Sequence, residues 1–144
     1  GRMEEINLGK PVILNLAKNP AGFNQAIATV LQDTRKKDVI VAINDNANDG
    51  HDVSWLWDVD FEKLDHPQLN TLTTTGIRLY DISLRFKYSD VKVDSICADM
   101  KSAILACLKT DAKVCYILVN YTALFSTENV MLEIKKELEA GKNE

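Results

Sequence analysis

The amino-acid sequence predicts an α/β fold in three layers, with a mostly parallel sheet of about six strands. Two continuous apolar runs, at 39–43 and 114–119, are typical of strands that are buried on both faces, and residues 11–16 predict a further strand. Segments whose apolar residues recur at helical spacing lie between such runs. Because strands and helices alternate in this way, helices should cover both faces of a parallel sheet.

The first helix follows the first clear strand. Residues 2–8 and 11–17 flank Gly9-Lys10, and they form either a hairpin or two successive extended segments. Asn19-Pro20 predicts the helix start, because asparagine caps helix N-termini and proline suits the first helical position. The helix should fray near residues 35–37. Its apolar stripe consists of Phe23, Ile27, Val30 and Leu31.

The middle of the chain is built around the strand at 39–43, which stops in a cluster of polar turn formers at 44–50. The structure of residues 58–64 stays open, because Trp55, Trp57, Val59 and Phe61 alternate like a strand over only a few positions. Residues 69–75 predict a further strand, and Gly76 ends it.

The rest of the chain continues the alternation. A helix is predicted near 79–88, a short strand at 91–93, a helix at 100–108 and the strand at 114–119. Ser126 is predicted to cap the last helix. The apolar face of that helix carries Met131, Ile134 and Leu138. This order of elements predicts a Rossmann-like arrangement.

Length and composition indicate one ordinary globular domain. The 144 residues are 46% hydrophobic and 26% charged, and no stretch of apolar residues is long enough to predict a membrane span. A net charge of -4 disfavours nucleic acid as a partner. Three cysteines without CxxC spacing lie in apolar patterns, which predicts reduced structural thiols in a cytoplasmic protein: Cys97, Cys107 and Cys115.

The sequence lacks the common signatures of nucleotide and metal sites. It contains neither the GxxxxGK[ST] phosphate loop nor the GxGxxG fingerprint. The segment that begins at Asp45 resembles a calcium loop only weakly. Its third position is Ala47, and its twelfth, where a bidentate glutamate is needed, is Leu56. No metal site is predicted.

Candidate functional residues concentrate after the strand at 39–43, because the carboxyl ends of parallel strands border the ligand crevice of such sheets. Asp52 could orient a catalytic histidine, although an aspartate that only caps a turn would look the same in the sequence. The two tryptophans suit either the core or a protein interface. The predicted partner- or substrate-side loop includes Asn44, Asp45, Asn46, Asp49, His51, Trp55, Trp57 and Asp58.

Two further polar junctions are predicted at the same edge of the sheet. Lys18-Asn19 precedes the first helix, whose N-terminus would favour an anion. Capping explains Asn19 equally well, and Lys18 could simply be solvated. The other junction is Thr73-Thr74-Thr75-Gly76, followed by Arg78.

Taken in order, these junctions resemble one known family. The opening Gly1-Arg2-Met3-Glu4 is similar to the segment that closes the central domain of Mur ligases. The other segments are LAKNPAGFN (16–24), NDN (44–46), DGHDVSW (49–55), WDVDFE (57–62), Thr75-Gly76-x-Arg78, Leu84-Arg85 and NYTAL (120–124). Together they resemble the C-terminal domain of MurT, the Mur-ligase-like subunit of lipid II isoglutaminyl synthase.

The resemblance implies a domain division and a function. Residues 1–10 would be the tail of a Mur ligase central domain and a linker, and residues 11–144 a MurT-type C-terminal domain with the Mur ligase fold. The full-length subunit would use ATP and Mg²⁺ to activate the α-carboxyl of D-glutamate in lipid II, which ammonia converts to D-isoglutamine. The chain alone should be inactive and bind no cofactor, because the phosphate loop belongs to the central domain.

The resemblance also implies a partner and the roles of several residues. A GatD-type glutamine amidotransferase would supply the cysteine and histidine that hydrolyse glutamine, and Asp52 would complete that catalytic triad. His51 stands where the family usually has arginine. The complex would act in the cytoplasm, at the inner face of the bacterial membrane. Contacts to the nucleotide, at the rim of the main site, are expected from Arg2, Lys18, Asn19 and Asn24.

Two other functions remain open at this point. The chain could be a stand-alone Rossmann-like module that binds a small molecule or nucleotide. It could also be a purely structural docking domain, whose acidic loop contributes contacts but no chemistry. Binding to a GatD-type partner distinguishes the stand-alone module from the other two functions. Glutaminase activity distinguishes the purely structural docking domain from the domain that completes the catalytic triad.

Overall fold

A computed structural model describes residues 2–44, 54–76 and 78–142 of the chain. The strands are β1 (Arg2–Asn7), β2 (Pro11–Leu16), β3 (Lys37–Ala42), β4 (Leu69–Thr75), β5 (Ser95–Ile96) and β6 (Val114–Val119). The helices are α1 (Pro20–Gln32), α2 (Leu79–Tyr88), α3 (Met100–Leu108) and α4 (Tyr121–Lys142). The six strands form one sheet in the order β1-β2-β6-β3-β4-β5. Neighbouring strands are parallel except β1 and β2, which confirms the predicted α/β fold.

Two apolar clusters cover the two faces of the sheet and make three layers. On one face α1, α2 and the segment 54–64 pack around Phe23, Phe61 and Phe86, which are fully buried. On the other face α3 and α4 pack against the alternate residues of the same strands, Ile40 and Ile117 among them. The central strands β3 and β6 are buried on both faces, which explains their continuous apolar runs. No helix within the described residues has the length and apolar character of a membrane span.

The first two strands form the hairpin that the sequence left open. Strand β1 pairs antiparallel with β2, and Asn7 faces Pro11 across the turn. Gly9 has a φ of 96°, and its N–H donates to Oδ1 of Asn7 over 2.8 Å. This positive φ favours glycine at the turn. The assignment of residues 1–10 to the end of a preceding domain stays a prediction.

Two predicted element boundaries are wrong. Residues 91–93 form no strand, because the Val91 N–H bonds to the end of α2 and its side chain is buried there. Pairing with β4 begins only at Ser95, next to Asp94, whose carboxylate accepts from Leu72 N–H over 2.8 Å. Ser126 does not cap α4, since that helix begins five residues earlier, at Tyr121.

The segment that the sequence left open is helical. Residues Ser54–Asp58 and Phe61–Leu64 form two short 3₁₀ helices instead of a strand. Leu56, Val59, Phe61 and Leu64 point into the cluster beneath α1 and α2. Alternation with period two is ambiguous over so few residues, and burial against two helices decides the conformation here.

The cysteines are free thiols, as predicted. Cys107 and Cys115 are buried in the cluster under α3 and α4, and Cys97 is partly buried. A hydrogen bond with the Cys107 side chain, together with burial, raises the pKa of Cys115 well above its ordinary value. A thiol in that state is a poor nucleophile, which supports a structural role.

Asp33, the residue that directly follows α1, is held by hydrogen bonds from two side chains. Asp33 accepts from Nε and Nη2 of Arg35, at 2.9 and 2.7 Å, and from the Tyr116 hydroxyl at 2.8 Å. The hydrogen bonds from Arg35 hold the pKa of Asp33 well below its usual range. Burial, followed by the bond to Asp33, raises the pKa of Tyr116 to about 12.

We expect Asp33→Asn to lower the free energy of unfolding by roughly 1 kcal/mol at pH 7. The folded-state pKa of Asp33 is depressed, so its contribution is fully present above the unfolded pKa of about 4 and is lost as the pH falls below it. Urea denaturation at pH 7 and pH 3 should therefore show a smaller difference from wild type at pH 3. The exposed Asp65→Asn is the control, and an equal difference at both pH values would contradict the assignment.

Candidate functional site

The candidate site lies at the edge of the sheet where the parallel strands end. Lys18 follows β2, Asn120 follows β6, Asn44 follows β3 and Gly76 follows β4. Strand β6 lies between β2 and β3 in the sheet. After β2 the chain continues into α1 on one face of the sheet, whereas after β6 it continues into α4 on the other face. Such a reversal opens a crevice at the carboxyl edge of a doubly wound sheet.

A reciprocal pair of asparagines fixes the point where the predicted partner- or substrate-side loop begins. Nδ2 of Asn120 donates to the Asn44 carbonyl over 2.6 Å, and the Asn44 N–H donates to Oδ1 of Asn120 over 3.0 Å. Asn120 is only 4% exposed, so these two bonds are protected from water. The ends of β6 and β3 are therefore tied together immediately before residue 45.

Gly76, which follows β4, packs closely against Ile43, the residue before Asn44. Its φ is 97°, and a Cβ there would lie 2.9 Å from the Ile43 carbonyl oxygen. The Arg78 N–H donates to that same carbonyl over 2.9 Å. Since the two nearest atoms, the carbonyl oxygen and the nitrogen of Ile43, belong to the backbone, no other residue fits without moving the start of the loop.

We expect Asn120→Asp to destabilise the fold by about 2 kcal/mol, because a carboxylate oxygen would replace the amide that donates to the Asn44 carbonyl. The substitution keeps size and shape, so the effect isolates the lost donor and the added charge. Asn129→Asp, at an exposed position of α4, makes the same charge change and should have little effect. Denaturant titration compares the two variants, and equal stabilities would contradict this role of Asn120.

Beyond the loop, one buried arginine organises the segment 54–62. Nε and Nη2 of Arg85 donate to the carbonyls of Leu56 and Val59 over 3.0 and 2.6 Å. The guanidinium also contacts Glu62 at 3.3 Å and bonds to the Ser89 hydroxyl. A backbone hydrogen bond, followed by the hydrogen bond and ion pair with Arg85, lowers the pKa of Glu62. Partial burial acts in the other direction but is outweighed. The side chain of Arg85 is 8% exposed, so its charge is held by these partners and not by water.

The two tryptophans of this segment have different surroundings. The Trp55 ring packs against Phe23 of α1, with 5.4 Å between ring centroids. Trp57 is 50% exposed, and Arg85 lies 5.4 Å from its ring centroid. Asp58 is also exposed. Trp55 therefore belongs to the core edge, whereas Trp57 and Asp58 face outward.

The residues predicted to contact a nucleotide are close together only in part. Arg2 pairs with Leu16 across the hairpin. Leu16 precedes the exposed Lys18 by two residues, so the backbones of Arg2 and Lys18 are near each other. Asn19 caps α1, and its Oδ1 accepts from the Gly22 N–H over 2.8 Å. Asn24 instead accepts from the Asp60 N–H over 2.8 Å, which ties α1 to the segment 54–62.

This rim could add to a phosphate site but could not form one alone. Lys18 supplies an exposed cation at the start of α1, where the first helical N–H groups favour an anion. Among the residues that the structure describes, no three metal-binding side chains lie close enough to hold an ion. Arg2, Lys18, Asn19 and Asn24 as nucleotide contacts stay a prediction.

Part of the predicted loop lies outside the described residues. These are Asp45, Asn46, Asp49, His51 and Asp52. The role of Asp52 therefore stays a prediction. The structure describes both neighbours of this stretch, the Asn44 anchor and the segment held by Arg85. Asn120 and Arg85 belong to segments that resemble the family, but the sequence assigns neither of them a role in the site.

Comparisons with known proteins agree on one family. The model of a family described as MurT ligase C-terminal matches residues 16–124. The lipid II isoglutaminyl synthase (glutamine-hydrolyzing) subunit MurT of Staphylococcus aureus strain COL is 42% identical over 87 residues, which are 60% of this chain and 20% of that protein. The subunit of the same name from Streptococcus pneumoniae R6 is 29% identical over 96% of this chain and 32% of that protein. The chain thus spans a third or less of these relatives.

Solved structures show the same fold at low sequence identity. MurF from Acinetobacter baumannii superposes with a TM-score of 0.58 at 12% identity, over 94% of this chain and 30% of that one. MurF ligase from Thermotoga maritima, in complex with ADP, gives a TM-score of 0.57 at 16% identity, over 96% and 31%. The predicted fold type, that of a Mur ligase C-terminal domain, is confirmed.

Proposed function

Because the chain belongs to the MurT ligase C-terminal family, we propose that it is the C-terminal domain of an ATP-dependent, glutamine-hydrolysing ligase subunit. The ligase amidates the α-carboxyl of D-glutamate in lipid II and produces D-isoglutamine. The family match over residues 16–124 carries this proposal. The complex works in the cytoplasm, at the inner face of the bacterial membrane. The chain by itself ligates nothing, since its sequence has no phosphate loop.

The second part of the proposal is that the domain docks a GatD-type glutamine amidotransferase. The partner contributes cysteine and histidine, and Asp52 of this chain accepts a hydrogen bond from the histidine. That bond fixes the imidazole tautomer and stabilises the imidazolium that forms when the cysteine loses its proton. Support comes from the two anchors beside the loop, Asn120 and Arg85, because a carboxylate orients a histidine only when its backbone is held.

In the full-length subunit ATP supplies the phosphoryl group that activates the substrate carboxyl, and Mg²⁺ accompanies it. The principal site lies in the central domain. This chain's share is limited to its rim, where Lys18 and the N-terminus of α1 attract phosphate. Asn19 keeps that helix end ordered through its bond to Gly22.

We expect the isolated chain to bind Mg-ATP weakly or not at all, because a single exposed lysine and one helix terminus cannot replace a phosphate loop. Isothermal calorimetry measures this directly. A dissociation constant of about 1 μM or tighter would favour a stand-alone nucleotide-binding module instead. Lys18→Ala is the control for any weak binding that is seen, since it should abolish a contact at this rim.

Association with the partner is the first test of the proposed function. The chain and a GatD-type amidotransferase from the same organism should co-elute from a size-exclusion column as one complex. Separate elution at micromolar concentrations would contradict the docking proposal. Co-elution without any change in glutamine hydrolysis would indicate a purely structural docking domain.

A further inference from the structure

A cavity of about 200 Å³ lies between the starts of α3 and α4, at the carboxyl edge of β3 and β4. Buried residues make its inner wall: Ala42, Thr75, Ala123 and Thr127. Exposed residues, Asp99 among them, surround its opening. Because a cavity of about 150 Å³ holds benzene in another protein, this one has room for a ligand of about five or six non-hydrogen atoms.

The hydroxyl of Thr75 is an unpaired polar group in this wall. Thr75 is 1% exposed, and its Oγ1 has no hydrogen-bond partner among the residues that the structure describes. The preceding Thr74 points to the other face of the sheet, where its hydroxyl bonds to that of Ser83 on α2. Thr75 therefore points toward α3 and α4, into the cavity. Since an unpaired buried hydroxyl is unfavourable, a ligand that bonds to it gains affinity there.

Other polar side chains of the wall offer acceptors. The hydroxyls of Ser126 and Thr127 both donate to the Ala123 carbonyl, over 3.2 and 2.6 Å, so their oxygens are available only as acceptors. The Asp99 carboxylate accepts from the N–H and the hydroxyl of Ser102, over 2.8 and 3.0 Å, and it has further lone pairs. Groups of this kind are complementary to a ligand that donates hydrogen bonds.

The charge at the opening favours a cation over an anion. Asp99 is the only charged residue among the described residues that line the cavity. Backbone and side-chain hydrogen bonds from Ser102 lower the pKa of Asp99, so its carboxyl group is ionised at neutral pH. The N-terminus of α3 by itself would favour an anion, but the carboxylate of its capping residue, Asp99, already occupies that position. A second anion would be repelled.

We propose that this cavity binds a small primary amine in its ammonium form. The amino group donates to the Thr75 hydroxyl and to the acceptors beside it, and the Asp99 carboxylate balances its charge. The short apolar body of the ligand packs against Ala42, Ala123 and Val130. An alcohol bonds to Thr75 but gains nothing from the carboxylate, and a carboxylic acid is repelled by it. The inference is independent of the proposed function, because it depends only on the described wall of the cavity.

The first test compares probes of equal size and different charge: n-butylammonium chloride, 1-butanol and sodium propionate. Each is titrated into the isotope-labelled chain, and the amide signals of Gly76, Asp99 and Thr127 report on the cavity in heteronuclear NMR spectra. We expect n-butylammonium to bind with a dissociation constant of about 1 mM. We expect 1-butanol to bind about tenfold more weakly and propionate not to bind.

Three results of this titration would overturn the inference. The first is the absence of a saturable shift with n-butylammonium at these amides. The second is propionate binding as tight as that of n-butylammonium, which would make the cavity an anion site. The third is equal binding of n-butylammonium and 1-butanol, because the carboxylate would then play no part.

Matched variants test the two groups that hold the amine, with circular dichroism to confirm folding. Thr75→Val replaces the unpaired hydroxyl with a methyl group and should weaken n-butylammonium binding about fivefold without loss of stability. Thr73→Val is its control, because Thr73 is buried on the same face of the same strand but lies outside the cavity wall. Asp99→Asn keeps a good helix cap and removes the charge, so n-butylammonium and 1-butanol should then bind almost equally.

The exposed Asp65→Asn is the control for the charge change and should keep the preference for the amine. Both control variants should stay within about twofold of wild type. Wild-type affinity for n-butylammonium in either Thr75→Val or Asp99→Asn would overturn this assignment of the cavity.

Discussion

Replacing Asp52 with Asn should reduce glutamine hydrolysis by the reconstituted complex by about 100-fold or more, and partner binding should remain nearly normal. The substitution keeps size and shape but removes the charge that, in the proposed function, stabilises the imidazolium of the partner's histidine. The amide can also stabilise the wrong imidazole tautomer. The loss of such an aspartate costs a serine protease about 10⁴ in kcat, and a cysteine nucleophile depends on it less.

The controls for this variant lie in the same loop. Asp45→Asn and Asp49→Asn remove equal charges, and both should affect hydrolysis less if these residues only shape the loop. Ammonia release from glutamine is the measurement, and binding is checked separately by calorimetry. Wild-type turnover in the Asp52→Asn complex would remove the triad assignment and leave a structural docking domain.

The second large effect is expected for Arg85→Ala, which should lower the free energy of unfolding by about 3 kcal/mol. The substitution leaves the carbonyls of Leu56 and Val59 without their donor and removes the cation from beneath Trp57. Tryptophan fluorescence should shift to longer wavelength, because Trp57 loses its support and becomes more exposed. Arg85→Lys should recover only part of the stability, since an ammonium cannot bond to both carbonyls in the same planar geometry.

Lys87→Ala is the matched control, because Lys87 is an exposed cation on the same helix. It should change stability by less than about 0.5 kcal/mol. Urea titration and the emission spectrum are recorded for all three variants. If Arg85→Ala were as stable as Lys87→Ala, the proposed anchoring of the segment 54–62 would be wrong.

The sequence predicts the elements whose signals are local. Strands β3 and β6 are buried on both faces, so their apolar runs are unbroken. The start of α1 is marked by Asn19-Pro20, and the structure has both the cap and the first-position proline. Strand β5 has no such signal. It is two exposed residues long, and only its pairing with Thr73 and Thr74 makes it a strand.

The sequence predicts a loop of candidate functional residues after β3, because polar residues follow an apolar strand there. It does not predict the contacts that hold the two ends of this loop. The role of Asn120 depends on β6 lying beside β3, although the two strands are more than 70 residues apart in the chain. Arg85 looks like an ordinary solvated residue of an amphipathic helix, and it is buried only because the segment 54–64 folds over it. Such long-range contacts leave no trace in local spacing.

The most direct test of the central claim is the rate of ammonia release from glutamine by a GatD-type amidotransferase, measured with and without this chain at saturating concentration. We expect the wild-type chain to raise the rate strongly, and the Asp52→Asn chain to bind without raising it. Equal rates for the amidotransferase alone and with the wild-type chain bound would contradict the claim that this domain completes the partner's active site.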